Sequence, residues 1–192
     1  MGPAPLYRRT WLAALAWLAL IWLSLACDAP AWAQSGSTRE RAVKAAFLYK
    51  FAGFVEWPAG TFSRADEPLV IGVLGNDAVL ADLDQVVVGR TLEGRPIRVR
   101  RMREDDSAER VHVLLIGATR EGRLRELAAA VPGPVLIVTE QPDGLRLGGV
   151  LNFVQDGGRI RFTASVTAAE ARGLRLSARL LAVAQAVEGR AR

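Results

Sequence analysis

The stretch LVIGVL, residues 69–74, decides the fold class. An unbroken apolar run that ends at a Gly-Asn-Asp turn is typical of a strand covered on both faces, as in parallel sheets. Two later runs have the same character, VHVLLI at residues 111–116 and PVLIVT at residues 134–139. The three runs predict buried, neighbouring strands of one sheet.

Helical patterns lie between these strands. One begins at Asn76 or Asp77, either of which can cap it, and extends to about residue 88; another covers residues 122–131. RPIRVRR at residues 95–101 alternates and predicts a half-exposed strand. Alternating strands and helices predict an α/β fold, a single three-layer domain with a mostly parallel sheet and right-handed crossovers.

The later part of the chain has a different pattern. GVLNFV at residues 149–154 and RIRFT at residues 159–163 are joined by Gln155-Asp156-Gly157-Gly158. Asp-Gly between two β runs is a strong signal for a hairpin. We therefore expect a C-terminal β-hairpin.

Amphipathic helices are predicted to flank the sheet at both ends of the domain. The first begins at Ser37, which has capping-box spacing to Glu40, and ends near Phe54, before a proline. The last begins near Thr167 and continues to about Val187. Its internal glycine is expected to cause a kink or a close approach, at about 1 kcal/mol relative to alanine.

The first 33 residues have the order of a secretory signal peptide. Arg8 and Arg9 precede a charge-free run over residues 11–27, and Ala31-Trp32-Ala33 supplies the small residues of a cleavage site. We expect a linker over residues 34–38, the domain over residues 39–192, and a periplasmic location. An uncleaved inner-membrane anchor, twin-arginine export and lipidation of the cysteine that ends the apolar run remain alternatives.

The composition leaves few means of catalysis. Cys27 is the only cysteine and belongs to the signal segment, so the domain is expected to have no disulfide and no thiol nucleophile. His112 is the only histidine and is expected to be a packed or edge residue. Asp105 and Asp106 are interpreted as a solvated turn without metal-ligand spacing. These residues predict a protein that is not an enzyme and has no cofactor or metal.

The charge pattern argues against nucleic acid as a partner. The full chain has a formal net charge of +5, but its arginines are scattered and form no stripe. The turn at Gly75 has neither the glycine spacing nor the Lys of a phosphate-binding loop.

Two segments have a composition typical of subunit or partner contacts, although core packing explains both equally well. Residues 45–58, AAFLYKFAGFVEWP, contain five aromatic residues in fourteen. Residues 170–187 form an amphipathic stretch whose polar face carries Arg172, Arg175 and Arg179.

Four motifs in order resemble the YfiR family of bacterial periplasmic proteins, over about residues 40–187. They are VKAAFLYKFAGFVEWP (43–58), IGVLGND (71–77), GGVLNFVQDGGRIRF (148–162) and AAEARGLRLSARLLAVA (168–184). The resemblance implies a dimeric periplasmic repressor. Such proteins bind the periplasmic sensor part of an inner-membrane diguanylate cyclase of the YfiN type, and they keep cyclic-di-GMP and biofilm formation low.

The resemblance also implies roles for particular residues. A dimer or partner helix carries Phe47, Leu48, Tyr49, Phe51 and Trp57. A partner-binding surface carries Glu170, Gly173, Leu174 and Leu176. The hairpin of the family maps onto Asn152, Phe153, Arg161 and Phe162, of which the two phenylalanines are expected to pack the sheet. Some members carry cysteine pairs that this domain lacks, which puts redox sensing by disulfides in doubt.

A second function stays open. The domain could be a small-ligand binding module that serves another membrane signalling protein, such as a histidine kinase. The ligand would then bind at the carboxyl ends of the strands, near Gly75 and Asn76.

Overall fold

The structure, a computed structural model, describes residues 31–189, with side chains from residue 37. Residues from Arg39 onward form one compact unit. Most of the predicted signal peptide lies outside the described residues. Within residues 31–189, no helix is both long enough and apolar enough to cross a membrane.

The elements follow one another as the alternating pattern predicts. The helices are α1 (Ala31–Ala52), α2 (Asp77–Val87), α3 (Glu121–Ala130), α4 (Val166–Ala171) and α5 (Ala178–Val183). The strands are β1 (Val55–Glu56), β2 (Leu69–Leu74), β3 (Thr91–Leu92), β4 (Arg95–Met102), β5 (Val113–Ile116), β6 (Leu136–Thr139), β7 (Leu151–Asp156), β8 (Arg159–Ser165), β9 (Arg175–Leu176) and β10 (Ala186–Glu188).

The sheet confirms the predicted fold class. Eight strands pair in the order β10-β8-β7-β6-β5-β2-β4-β3. The pairs from β4 to β7 and the pair β10–β8 are parallel, whereas β7–β8 and β3–β4 are antiparallel. The chain is a single α/β domain with a mostly parallel sheet, flanking helices and a C-terminal hairpin.

Both faces of the sheet are covered, which explains the apolar runs. Ile71 and Val73 of β2 share one core cluster with residues of α1 and α2. Leu114 of β5 belongs to a second cluster with Leu124 and Ala128 of α3. Since successive side chains of a strand point to opposite faces, a strand between two helical layers needs apolar residues at every position.

The first helix begins earlier than predicted. In the structure α1 is already helical at Ala31, so Ser37 lies inside the helix and not at its cap, and residues 34–38 are helical. No proline lies between Ala31 and Trp57-Pro58, so no ring blocks extension of the helix towards the N-terminus.

The prediction of one long C-terminal helix is wrong. Helix α4 ends at Ala171, and Gly173 has a φ of +72°. The Leu174 N–H bonds the Ala169 carbonyl, and the Gly173 N–H bonds the Glu170 carbonyl, which is the Schellman pattern of a helix end. Gly173 therefore terminates the helix where the sequence analysis expected a kink.

The remainder of that segment divides into short elements. Ser165, and not Thr167, caps α4 by accepting from the Ala168 N–H. β9, α5 and β10 follow, and β10 pairs in parallel with β8 at the edge of the sheet. Strands β9 and β10 are held by pairing with β1 and β8, and a helical periodicity does not reveal such pairing.

Candidate interaction surface

A two-stranded antiparallel ribbon joins the two segments that the sequence analysis selected. In it β1 pairs with β9, with Val55 opposite Leu176 and Glu56 opposite Arg175. The Ser177 N–H extends the ribbon by a bond of 2.9 Å to the Phe54 carbonyl. Residues 45–58 and 170–177 therefore meet at one place, although strands β2 to β8 lie between them in the sequence.

The ends of two helices position this ribbon. After α1, the Gly53 N–H bonds the Lys50 carbonyl and the Phe54 N–H bonds the Phe51 carbonyl, both at 3.0 Å. The chain thus turns at once into β1. On the other side, the Schellman end of α4 turns the chain at Gly173 and directs it into β9. Two tight helix ends therefore fix the direction of both strands.

Part of the predicted aromatic helix lies in the core. Leu48 and Phe51 are fully buried. Phe47 and Phe51 stack at 5.5 Å, and Phe51 meets the Phe162 ring edge-on at 4.9 Å. Phe153 stacks on Phe51 at 5.7 Å, so the two hairpin phenylalanines pack between the sheet and α1. These residues support the ribbon from inside.

Tyr49 and Trp57 are half-buried and reach the surface. The guanidinium carbon of Arg90 lies 5.1 Å from the centre of the Tyr49 ring, a cation–π distance. Trp57 contacts Phe62 edge-on at 6.3 Å. Trp57 follows β1 directly and borders the ribbon.

The four predicted partner-binding residues differ in exposure. Glu170 and Gly173 are exposed, Leu176 is half-buried, and Leu174 has no exposed surface. As the residue after the Schellman glycine, Leu174 packs in the core and holds the end of α4 in place. Of the four, Glu170, Gly173 and Leu176 are accessible to a partner.

Three further accessible side chains were not selected as site residues. Glu56 and Arg175 form an exposed ion pair of 3.5 Å across the ribbon. Such a pair adds little stability, but it places both charges on the surface. Val183, at the end of α5, is 60% exposed despite its apolar character. Strand β1 has only two residues and therefore shows no periodicity. In the sequence, its position next to Trp57 was the only indication that Glu56 belongs to the site.

Arg172 fastens α4 to α3. Its guanidinium donates to the carbonyls of Ala128 at 2.7 Å and Val131 at 3.2 Å, at the C-terminal end of α3. A cation is favoured there because the helix dipole is negative at that end. Burial lowers the pKa of Arg172 from its usual value. Arg172 also lines an open cavity of about 540 Å³, together with Ala171 and with Pro58, which lies two residues after β1.

His112 occupies a packed position at the opposite end of the sheet from Asn76. Its Nδ1 accepts the Val70 N–H at 3.1 Å, and its ring stacks on Phe62 at 4.5 Å and meets Trp57 edge-on at 5.8 Å. Burial lowers the pKa of His112, Glu67 opposes this, and Arg95 adds to it. The neutral ring is thus a structural bond acceptor.

The carboxyl edge of the sheet is occupied by internal polar contacts. Asn76 caps α2 by accepting from the Val79 N–H at 3.1 Å, and its amide donates to Glu140 at 2.7 Å. Lys44 of α1 pairs with Glu140 at 2.9 Å and with Glu40 at 2.7 Å. Although burial acts to lower it, the pKa of Lys44 is raised by these carboxylates. A ligand at Asn76 would have to displace these bonds.

The remaining polar hairpin residue has a structural partner as well. Asn152 is buried and accepts from the Thr139 hydroxyl at 2.8 Å, whereas Arg161 is exposed. In the part of the chain that the structure describes, no three His, Cys, Asp or Glu side chains converge in a group able to hold a metal.

A match to a known protein family covers almost the whole compact unit. A family model described as YfiR/HmsC-like, DUF4154, matches residues 41–185. A search of curated proteins finds no match. The matched range includes α1 from Arg41 onward, the ribbon and α5.

Proposed function

Since the chain belongs to the YfiR/HmsC-like family, we propose that it is a non-enzymatic periplasmic regulator. It binds the periplasmic sensor part of an inner-membrane diguanylate cyclase and holds the enzyme inactive, which lowers cyclic-di-GMP signalling and biofilm formation. Residues 1–33 act as its cleavable export signal. The domain functions as a homodimer.

The docking face in this proposal is the outer surface of the β1–β9 ribbon with the adjoining end of α4. The observation that carries it is the β1–β9 pairing, since it brings the two segments with the strongest interface composition to one site. Glu56, Glu170 and Arg175 supply charge, and Leu176 supplies accessible apolar surface. Interfaces that combine an apolar centre with charged edges bind specifically.

Repression by binding has a defined energetic requirement. A protein that performs no chemistry shifts the cyclase only by binding its inactive state more tightly than its active state. A shift from mostly active to mostly inactive needs a ratio of about 10⁴, or about 5.5 kcal/mol. A few buried anchors can supply such a difference, because truncation of one interface anchor commonly costs about 2 kcal/mol or more.

The test is binding of the purified protein to the purified sensor domain of a candidate cyclase. Glu170→Lys reverses an exposed charge on the proposed face and should weaken binding at least tenfold while the thermal unfolding temperature stays unchanged. Asp84→Lys makes a charge reversal of the same sign at an exposed site of α2 and serves as the control. Equal affinities for wild type and Glu170→Lys would contradict the proposed face.

A further inference from the structure

A second site of chemical interest is lined by none of the ribbon residues. An open cavity of about 420 Å³ borders the amino end of β2, where Val70 is paired with Arg98 of β4. Arg64, Arg98 and Arg110 line it from three different segments, and Glu67 is its acidic residue. The topology thus gathers three guanidinium groups around one concave surface.

Two of these cations form no close ion pair within the described residues, although the charge of Arg110 contributes to lowering the pKa of Glu67. Arg64 forms a two-bond pair with Asp66, at 2.9 and 2.7 Å. Arg98 and Arg110 form no ion pair with any carboxylate of residues 37–189. The carboxylate of Glu67 is already bonded by the Ser63 N–H. The three guanidinium groups are thus matched by two carboxylates, Asp66 and Glu67, which leaves one excess positive charge at the cavity among the described residues.

The backbone at Arg110 has a conformation that residues with a side chain rarely adopt. Residues 108–111 form a turn closed by the Val111 N–H and the Ala108 carbonyl at 3.1 Å, and Arg110 has a φ of +59°. A positive φ at the third position of a turn normally selects glycine, because a side chain makes that conformation strained. Strained non-glycine residues cluster at functional sites.

From these observations we infer that the cavity binds a phosphate group, held between the guanidinium groups of Arg98 and Arg110. Arginine presents a planar fork of donors that matches phosphate oxygens, and Val70 and Pro68 give the site an apolar wall for the remainder of the ligand. The phosphate belongs either to a soluble compound or to a lipid headgroup. The site includes no residue of the ribbon, and the inference does not depend on the repressor role.

The test uses two probes, inorganic phosphate by calorimetry in a phosphate-free, low-salt buffer, and flotation with vesicles of phosphatidylglycerol or of phosphatidylcholine. Saturable binding of phosphate supports a soluble ligand. Binding to phosphatidylglycerol vesicles alone identifies the lipid headgroup as the source. Absence of binding to either probe overturns the inference.

Variants separate a site from general attraction by charge. Arg98→Gln and Arg110→Gly should each weaken binding at least tenfold. Arg110→Gly should also leave the unfolding temperature equal or higher, because glycine relieves the strain of the turn. Arg125→Gln, an exposed arginine of α3, should change binding less than twofold. Unchanged binding in Arg110→Gly, or an equal loss in Arg125→Gln, would refute the site.

Discussion

Replacement of Gly173 by alanine distinguishes the observed C-terminal architecture from a continuous helix. In the structure Gly173 has a φ of +72°, and an added Cβ would find only Pro58 Cγ, at 3.8 Å. The substitution therefore causes no clash, and its cost is backbone strain alone, about 1–2 kcal/mol for an L-residue in the left-handed region. The lower entropy of the unfolded alanine chain offsets about 0.4–1 kcal/mol of this.

The expected result is a net loss of about 1 kcal/mol in the free energy of unfolding, measured by urea titration. In a continuous helix the same change would stabilise by about 1 kcal/mol, because alanine is the better helix former. Gly122→Ala is the matched control: it lies inside α3 with open space around its Cα, and it should stabilise by about 0.5–1 kcal/mol. A stabilising Gly173→Ala would refute the helix end derived above.

Two further predictions concern buried ionisable groups. Because burial lowers the pKa of folded His112, its contribution to stability is complete above the unfolded pKa of about 6.5 and is lost as the pH falls towards the folded pKa. Urea titrations at pH 7.5 and 5 should show a smaller decline for His112→Asn, which keeps an acceptor for the Val70 N–H; an unchanged decline would contradict this. Lys44→Met leaves Glu140 without its cation and should destabilise by about 3 kcal/mol. Adding Glu140→Gln should restore part of this loss, because it removes the unpaired buried charge, and a double variant that is less stable than Lys44→Met would contradict this.

The layers of the sheet could be predicted because their sequence pattern follows from burial. Strand β2 occupies residues 69–74 as predicted, and α2 begins at the predicted Asp77. A strand between two helical layers must be apolar throughout, and a helix needs its cap, so both leave local signals. The hairpin was equally readable from Asp156-Gly157.

The C-terminal segment could not be predicted in the same way. Leu176 and Leu180 are four residues apart, as on one face of a helix, but they meet the core from a strand and from a separate helix. The φ of Gly173 decides between a continuous helix and a helix end, and this angle cannot be derived from the sequence pattern. The β3–β4 hairpin was missed for a related reason, since its turn uses Glu93, at a φ of 50°, before a glycine.

The candidate surface was predicted in its segments and not in its individual contacts. Both segments were chosen by composition, and their meeting depends on a pairing between residues about 120 positions apart, which no local pattern encodes. The family resemblance assigns Leu174 to the partner-binding surface, and the sequence does not distinguish an exposed leucine from a buried one. Because Leu174 is completely buried, Glu170 and Leu176 are the accessible side chains of the predicted surface.

Repression of a diguanylate cyclase is measured by the level of cyclic-di-GMP in cells that contain the cyclase. The measurement compares cells without the protein, with the wild type, and with Glu170→Lys or Asp84→Lys expressed at equal levels. We expect low cyclic-di-GMP with the wild type and Asp84→Lys, and high levels with Glu170→Lys and without the protein. Equal cyclic-di-GMP in the presence and absence of the wild-type protein would contradict this expectation.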